Sequence, residues 1–350
     1  YQAEREPEAL KLVNAARNRM QWFENLSRYT QLDALQFTYS LLTGSQRIGH
    51  DNLRQRDSGF VAKVDAQIAQ QAGLDATPPP MFTPFRLREL TLPNRVVVSP
   101  MAMYSAVDGM PGDFHLAHLG TRALGGAGLV MTEATYASPN GRITTACTGL
   151  WNDAQEAAWQ RIVDYVHTRT PARIGIQLGH AGPKGATAIP WQTAADTTWP
   201  LLAASAQPYD ERSQIPRAMT RDDMTRVRDQ LVNATLRANR AGFDLLELHC
   251  AHGYLLSSFL SPLTNRRDDE YGGSLDNRLR YPLEVFAAMR AAWPQHKPMS
   301  VRISAHDWAP GGNTDEDAVV IARAFKHAGA DLIDVSSGQT TPPAKPVYGR

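Results

Sequence analysis

From residue 81 onward, short apolar runs rich in β-branched residues alternate with longer amphipathic ones, and few folds tolerate that rhythm. Strands are expected at 95–99, 128–134, 173–178, 243–248, 299–304 and 330–336. Helices are expected between them, near 115–124, 154–168, 221–241, 275–292 and 314–329. Strict β/α alternation makes an α/β protein with a parallel sheet and right-handed crossovers. Such a sheet stays open and doubly wound or closes into a (β/α)8 barrel. The open nucleotide-binding form needs a Gly-x-Gly-x-x-Gly turn after its first strand. Here that turn reads Pro100, Met101, Ala102, Met103, Tyr104. Polar, glycine-containing segments instead follow strand after strand, which suits a TIM-barrel mouth, with about six strands in this chain.

Residues 1–59 carry helical patterns and no catalytic constellation. Leu12, Val13, Met20, Phe23 and Leu26 recur at rough helical spacing, a stripe expected to pack on a partner outside the chain. Ser27 is a candidate N-cap and Gly44 a candidate C-cap. Residues 60–80 are expected to be a linker, with one helix-like stretch before Pro78, Pro79 and Pro80 stop it. The barrel domain is then 81–350.

The net charge of +1 and pI near 8.0 give no electrostatic reason to expect nucleic acid or a membrane surface as partner. Two cysteines, Cys147 and Cys250, make neither a disulfide framework nor a metal spacing.

The chemistry concentrates where apolar runs end. His249, His252 and Tyr254 follow the run beginning at Phe243; imidazoles and a phenol there can polarise a carbonyl and deliver a proton. The histidine spacing differs from the helical zincin pattern, and no third ligand stands out beyond Cys250, so no metal is expected. Tyr254 could also be a packed aromatic. Gln177 ends another run. Arg302, alone in an apolar strand, must be ion-paired or functional. The charge-dense segment 265–278 reads as a solvated loop leading into a helix cap.

These residues sit in motifs that resemble one family. NRVVVSPMAMYS (94–105), GRITTACTGLWND (141–153), IGIQLGHAGPK (174–184), HCAHGYLLSSFLSPLTNRRDDEYGGSLDNR (249–278) and DLIDVSSG (331–338) are together similar to the old yellow enzymes. That resemblance implies an FMN-dependent ene-reductase on a (β/α)8 barrel, reduced by NADH or NADPH and acting on a small-molecule substrate with an activated C=C. By motif, Ser99, Pro100, Met101, Ala102, Ala134, Gln177 and Arg302 would contact the flavin. His249 and His252 would grip the substrate carbonyl, Tyr254 would supply the proton and Tyr104 would line the substrate pocket. Ala102 stands where this branch commonly has a cysteine, so thiol tuning of the flavin is not expected. A cytoplasmic setting is the expectation; a homo-oligomer stays open.

ALKLVNAARNRMQWFEN (9–25) and QFTYSLLTGSQRIGHDNLRQRD (36–57) resemble the closing helices of a flavoprotein monooxygenase. That resemblance implies a bifunctional protein with FAD in a further domain, acting in aromatic catabolism on an aryl-CoA thioester such as 2-aminobenzoyl-CoA. Rivals are a stand-alone enone reductase and an idle barrel that scaffolds the monooxygenase. Tyr1 enters mid-helix and the strands run out before Arg350. The chain is therefore expected to be a piece of a longer protein, with the phosphate-binding loops beyond its end.

Overall fold

The structure, a computed structural model, describes residues 2–192 and 198–342. The chain divides into two compact units, 1–84 and 85–350.

The first unit is helical: α1 (Gln2–Glu24), α2 (Ala34–Thr43), α3 (His50–Arg56) and α4 (Ser58–Gln71). Asp33 starts α2 by accepting the Gln36 N–H, and Asp57 does the same for Phe60 at α4. Gly44 is the C-cap of α2, as expected, and a Cβ there would lie 2.8 Å from the Trp22 ring. Ser27 caps nothing; it lies inside a 3-10 turn, Leu26–Arg28. Trp22 organises the unit: it stacks on Tyr29 with centroids 4.8 Å apart and donates Nε1–H to Ser40. Leu12, Val13, Met20 and Phe23 of α1 are each more than half exposed. α4 occupies much of the stretch expected to be a linker, because its Val61 and Val64 face is apolar enough to be buried.

The second unit starts with an antiparallel hairpin of β1 (Phe85–Leu87) and β2 (Leu90–Leu92). There follow β3 (Val97–Val98), α5 (Asp113–Leu124), β4 (Leu129–Tyr136), α6 (Asp153–Arg169), β5 (Arg173–Gly179) and the two-residue pair β6 (Leu202–Ala203) and β7 (Arg217–Ala218). After these come α7 (Arg221–Arg240), β8 (Leu245–Cys250), α8 (Leu255–Leu260), α9 (Leu275–Ala292), β9 (Met299–Ser304), α10 (Asp315–His327) and β10 (Leu332–Ser336). Six strands form one parallel sheet in the order β3-β4-β5-β8-β9-β10, a half-barrel with helices between successive strands. Every strand and helix expected of the barrel is present. β1, β2, β6, β7 and α8 were not foreseen, being too short to show periodicity.

Alternation along each strand separates two environments. Ile174, Ile176 and Leu178 of β5, Leu246 and Leu248 of β8, and Val301 and Ile303 of β9 face outward into one core. Trp159, Leu231, Phe286 and Phe325 from α6, α7, α9 and α10 cover them. The inward positions are layered. At the N-terminal end Leu129, Met131 and Leu245 pack against Leu87 and Leu92 of the hairpin. Arg88, between β1 and β2, ties that hairpin to Asp331, just before β10, at 2.7 Å. Gly175 leaves room for Met131: a Cβ there would lie 2.4 Å from the Met131 sulfur and force that side chain to shift. Toward the C-terminal ends the inward residues become polar, and the site lies there.

A candidate active site at the strand C-termini

Strand register lines the inward side chains into two rows. Ala134, Gln177, Glu247 and Ser300 pair across β4, β5, β8 and β9. One step further along, His249, Arg302 and Asp334 pair across β8, β9 and β10. A register shift in β4 between Met131 and Ala134 sets this phase. The extra residue keeps Ala134 inward after Met131, where strict alternation would have turned it outward.

His249 and Cys250 lie within β8, not past its end. Cys250 faces the outer core, opposite to His249, so it is no companion ligand. His252 has φ 63° and Gly253 φ 73°, a left-handed turn that folds Tyr254 back over the strand end. The His249 ring centroid lies 5.2 Å from that of His252 and 5.0 Å from that of Tyr254. Nδ1 of His249 accepts the Ala251 N–H at 3.2 Å, so the proton of the neutral ring sits on Nε2 and can be donated. Nε2 of His252 pairs with Ser336 Oγ at 2.5 Å. Burial, with His252, Arg302 and Lys184 nearby, holds His249 well below the usual histidine range. Burial, helped by Arg302 and Lys184, holds His252 down to about 4. Both rings are neutral at pH 7, and His249 has its Nε2–H free to donate. Burial pushes the Tyr254 phenol up, so it keeps its proton.

Tyr104 and Tyr254 pack on a small cluster of Ala134, Tyr136, Ile143, Cys147 and Ala181. Tyr104 is half-buried and its ring meets Trp191 edge-on at 6.3 Å. The buried Tyr136 hydroxyl has no hydrogen-bond partner among the described residues.

The turn after β3 shows a surface. Ser99, Met101 and Ala102 are exposed while Pro100 is buried. It is held from behind. Arg302 Nη1 donates to the Pro100 carbonyl at 3.3 Å, and Met103 N–H donates to the Glu133 carboxylate at 3.0 Å. Glu133 in turn meets His115 Nε2 at 3.0 Å. Arg302 has the ion-pair partner its sequence context demanded: Nε lies 3.3 Å from Asp334. That contact lacks hydrogen-bond alignment, so the buried Nε is a donor without an acceptor among the described residues. The inner wall therefore offers an exposed apolar turn, the inward amide of Gln177 and an under-used guanidinium. This set fits a planar heteroaromatic group with a polar edge, as a flavin has.

Segment 265–278 leads into a helix cap as expected, with Ser274 accepting the Asn277 N–H at the start of α9 and Arg266, Asp268 and Glu270 exposed, but Asn265, Arg267 and Arg278 turn inward. Asn265 is buried and donates to the carbonyls of Phe259 and Tyr271, at 2.8 and 2.7 Å. Arg267 donates to the carbonyls of Ala204 and Met219. Arg278 donates to those of Leu260 and Gly273. The polar groups saturate buried backbone that no ladder reaches. Sequence reasoning also passed over Glu247, Asp334 and Lys184. A carboxylate inside the apolar run 243–248 was the visible signal for Glu247.

The profile of the NADH:flavin oxidoreductase / NADH oxidase family matches residues 80–347. The chain belongs to this family, that of the old yellow enzymes. An NADPH dehydrogenase of Listeria monocytogenes serotype 4a is 43% identical over 270 residues, spanning 77% of this chain and 76% of that protein. One from Bacillus cytotoxicus is 42% identical over 270 residues, 77% and 74% of the two chains. Among solved structures, morphinone reductase superposes with TM-score 0.65 at 32% identity, over 73% of this chain and 71% of that one. A 2-naphthoyl-CoA reductase in complex with 2-naphthoyl-CoA superposes with TM-score 0.68 at 25% identity, over 75% and 41%. FMN and NAD(P)H are the cofactors typical of the family, and the half-barrel is six strands of its TIM barrel. This old-yellow-enzyme chain is thus a flavin-dependent NAD(P)H oxidoreductase.

Proposed function

We propose that the chain is an ene-reductase that reduces a C=C bond conjugated to a carbonyl. One observation carries this reading: His252 and Tyr254, in the turn after β8, converge on His249, which pairs with Arg302 in the inward row. When bound, FMN would supply the hydride chemistry that links NAD(P)H to the alkene. Ser99, Pro100, Met101 and Ala102 would lie against its ring, with Ala134 beside them. Gln177 would meet its pyrimidine edge and Arg302 would balance negative charge there. Neutral His249 and His252 would donate to the substrate carbonyl oxygen, drawing electron density from the alkene. Tyr254 would protonate the adjacent carbon, and Tyr104 would line the pocket. Replacing Tyr254, His249 and His252 together should abolish enone reduction while NAD(P)H consumption with another electron acceptor persists. Unchanged enone turnover would refute the site.

A second reading makes the substrate an aryl-CoA thioester. It is supported by the likeness to a reductase solved with 2-naphthoyl-CoA. Fusion to a monooxygenase, with FAD, rests on the sequence resemblance of residues 1–59 alone. Flavin released from the complete native protein separates the cases. FMN with FAD supports the fusion, FMN alone a stand-alone reductase, and FAD alone an idle barrel.

A further inference from the structure

Lys184 closes the 3-10 turn Gly182–Lys184 that follows β5, and nothing in the reaction described above uses it. Its Nζ donates to two carbonyls, that of His252 at 2.9 Å and that of Gln339 at 3.1 Å. His252 and Gln339 are both non-glycine residues with φ 63°. Side chains rarely adopt that region, and such residues persist only where their surroundings hold them. The two turns also abut, since a Cβ on Gly253 would lie 2.7 Å from the Gln339 carbonyl oxygen. One ammonium thus pins both strained carbonyls, joining the turn after β8 to the loop after β10.

The same ammonium lies over two aromatic faces, 5.0 Å from the Tyr254 centroid and 4.4 Å from that of Tyr209. Among the described residues it pairs with no carboxylate. Gly182 makes the placement possible: with φ 60°, its Cα approaches Leu255 so closely that a Cβ would lie 2.7 Å from that backbone. The 3-10 turn therefore rests on the start of α8, within reach of the His252 carbonyl.

We propose that Lys184 is a positioning residue of the reductase: its ammonium locks the left-handed turns at His252 and Gln339 and so fixes the His252 imidazole and the Tyr254 phenol. The functional part of this inference rests on the ene-reductase reading. The charge has a second effect. Lys184 from the β5 exit and Arg302 from β9 are the cations facing the histidine pair, Asp334 stands beside Arg302, and the Tyr254 ring faces His249. Both cations oppose protonation of the pair.

The test compares Lys184→Met and Lys184→Arg in the flavin-loaded protein. Hydrogen exchange reads the backbone directly: amides 252–254 and 338–340 should exchange faster in Lys184→Met and be restored in Lys184→Arg. Titration with 4-hydroxybenzaldehyde, a phenol that stands in for the substrate oxygen, should weaken roughly 10- to 100-fold in Lys184→Met, the range for losing a hydrogen bond to a charged group. Reoxidation by an enone should slow similarly, while reduction by NAD(P)H and flavin content hold. The acid limb of phenol binding should move to higher pH, because one cation opposing protonation is gone. Unchanged exchange at both turns overturns the proposal, as does Lys184→Arg behaving like Lys184→Met. Wild-type protein that binds no phenol would sink the ene-reductase reading alone, leaving the exchange result to judge Lys184.

Discussion

The buried carboxylate of Glu247 accepts the Nε2–H of Gln177 at 2.9 Å. Its other oxygen accepts from Ser300 Oγ at 2.7 Å. The bond turns the Gln177 carbonyl oxygen away from Glu247, so a carboxylate at the centre of the inward row sets which face of the amide is free.

Burial, with Asp334 nearby, pushes Glu247 up to about 7. An acid whose pKa is raised on folding keeps its proton in the native state while the unfolded chain loses it. Stability should therefore fall as pH rises from about 4.5 to about 7, by roughly 3 kcal/mol from this group, and then level off. Glu247→Gln should remove that slope. Unfolding midpoints taken across pH 4–8 for both proteins check it; parallel profiles would mean that folding leaves the Glu247 pKa unshifted.

Because His249 and His252 are both held low, binding of a phenol should persist well below pH 6.5, where unperturbed histidines would have charged. The acid limb should fall near pH 4. His249→Ala with His252→Ala should leave flavin bound and weaken phenol binding by at least about 10-fold. Titrations followed by absorbance decide, and stoichiometric zinc lost in the double variant would instead reveal a metal site.

Tyr254→Phe keeps the ring against His249 and removes only the hydroxyl. Loss of a positioned proton donor costs about 10²–10⁴-fold in the step it serves. Stopped-flow traces should show slow reoxidation by an enone with near-normal reduction by NAD(P)H. Equal slowing of both steps would leave Tyr254 a packing residue.

Arg302→Met should weaken flavin retention more than it lowers the unfolding midpoint. Asp334, already pushed up by burial, loses the cation that opposes the shift and can take a proton. Gel filtration followed by flavin quantification measures the loss. Full retention of flavin would assign Arg302 to the ion pair with Asp334 alone.

The order of strands and helices was legible in the sequence because burial on two faces writes itself as apolar runs and amphipathic repeats. His249, His252 and Tyr254 were legible because local sequence brings them into one turn. Arg302 stood out because an isolated charge in an apolar strand is costly. Other features depended on register and on distant chain. The β4 shift that keeps Ala134 inward is one residue of extra length with no compositional mark. Glu247 meets Gln177 and Ser300 only once β5, β8 and β9 align. Asn265, Arg267 and Arg278 looked like solvent-facing polar residues, because local sequence does not show which backbone carbonyls lack a ladder partner. Lys184 reaches across 68 and 155 residues of chain to His252 and Gln339. Local pattern sets which elements form and which face each buries; pairing between strands and loops far apart in the chain sets which polar groups meet, and only the tertiary structure contains that pairing.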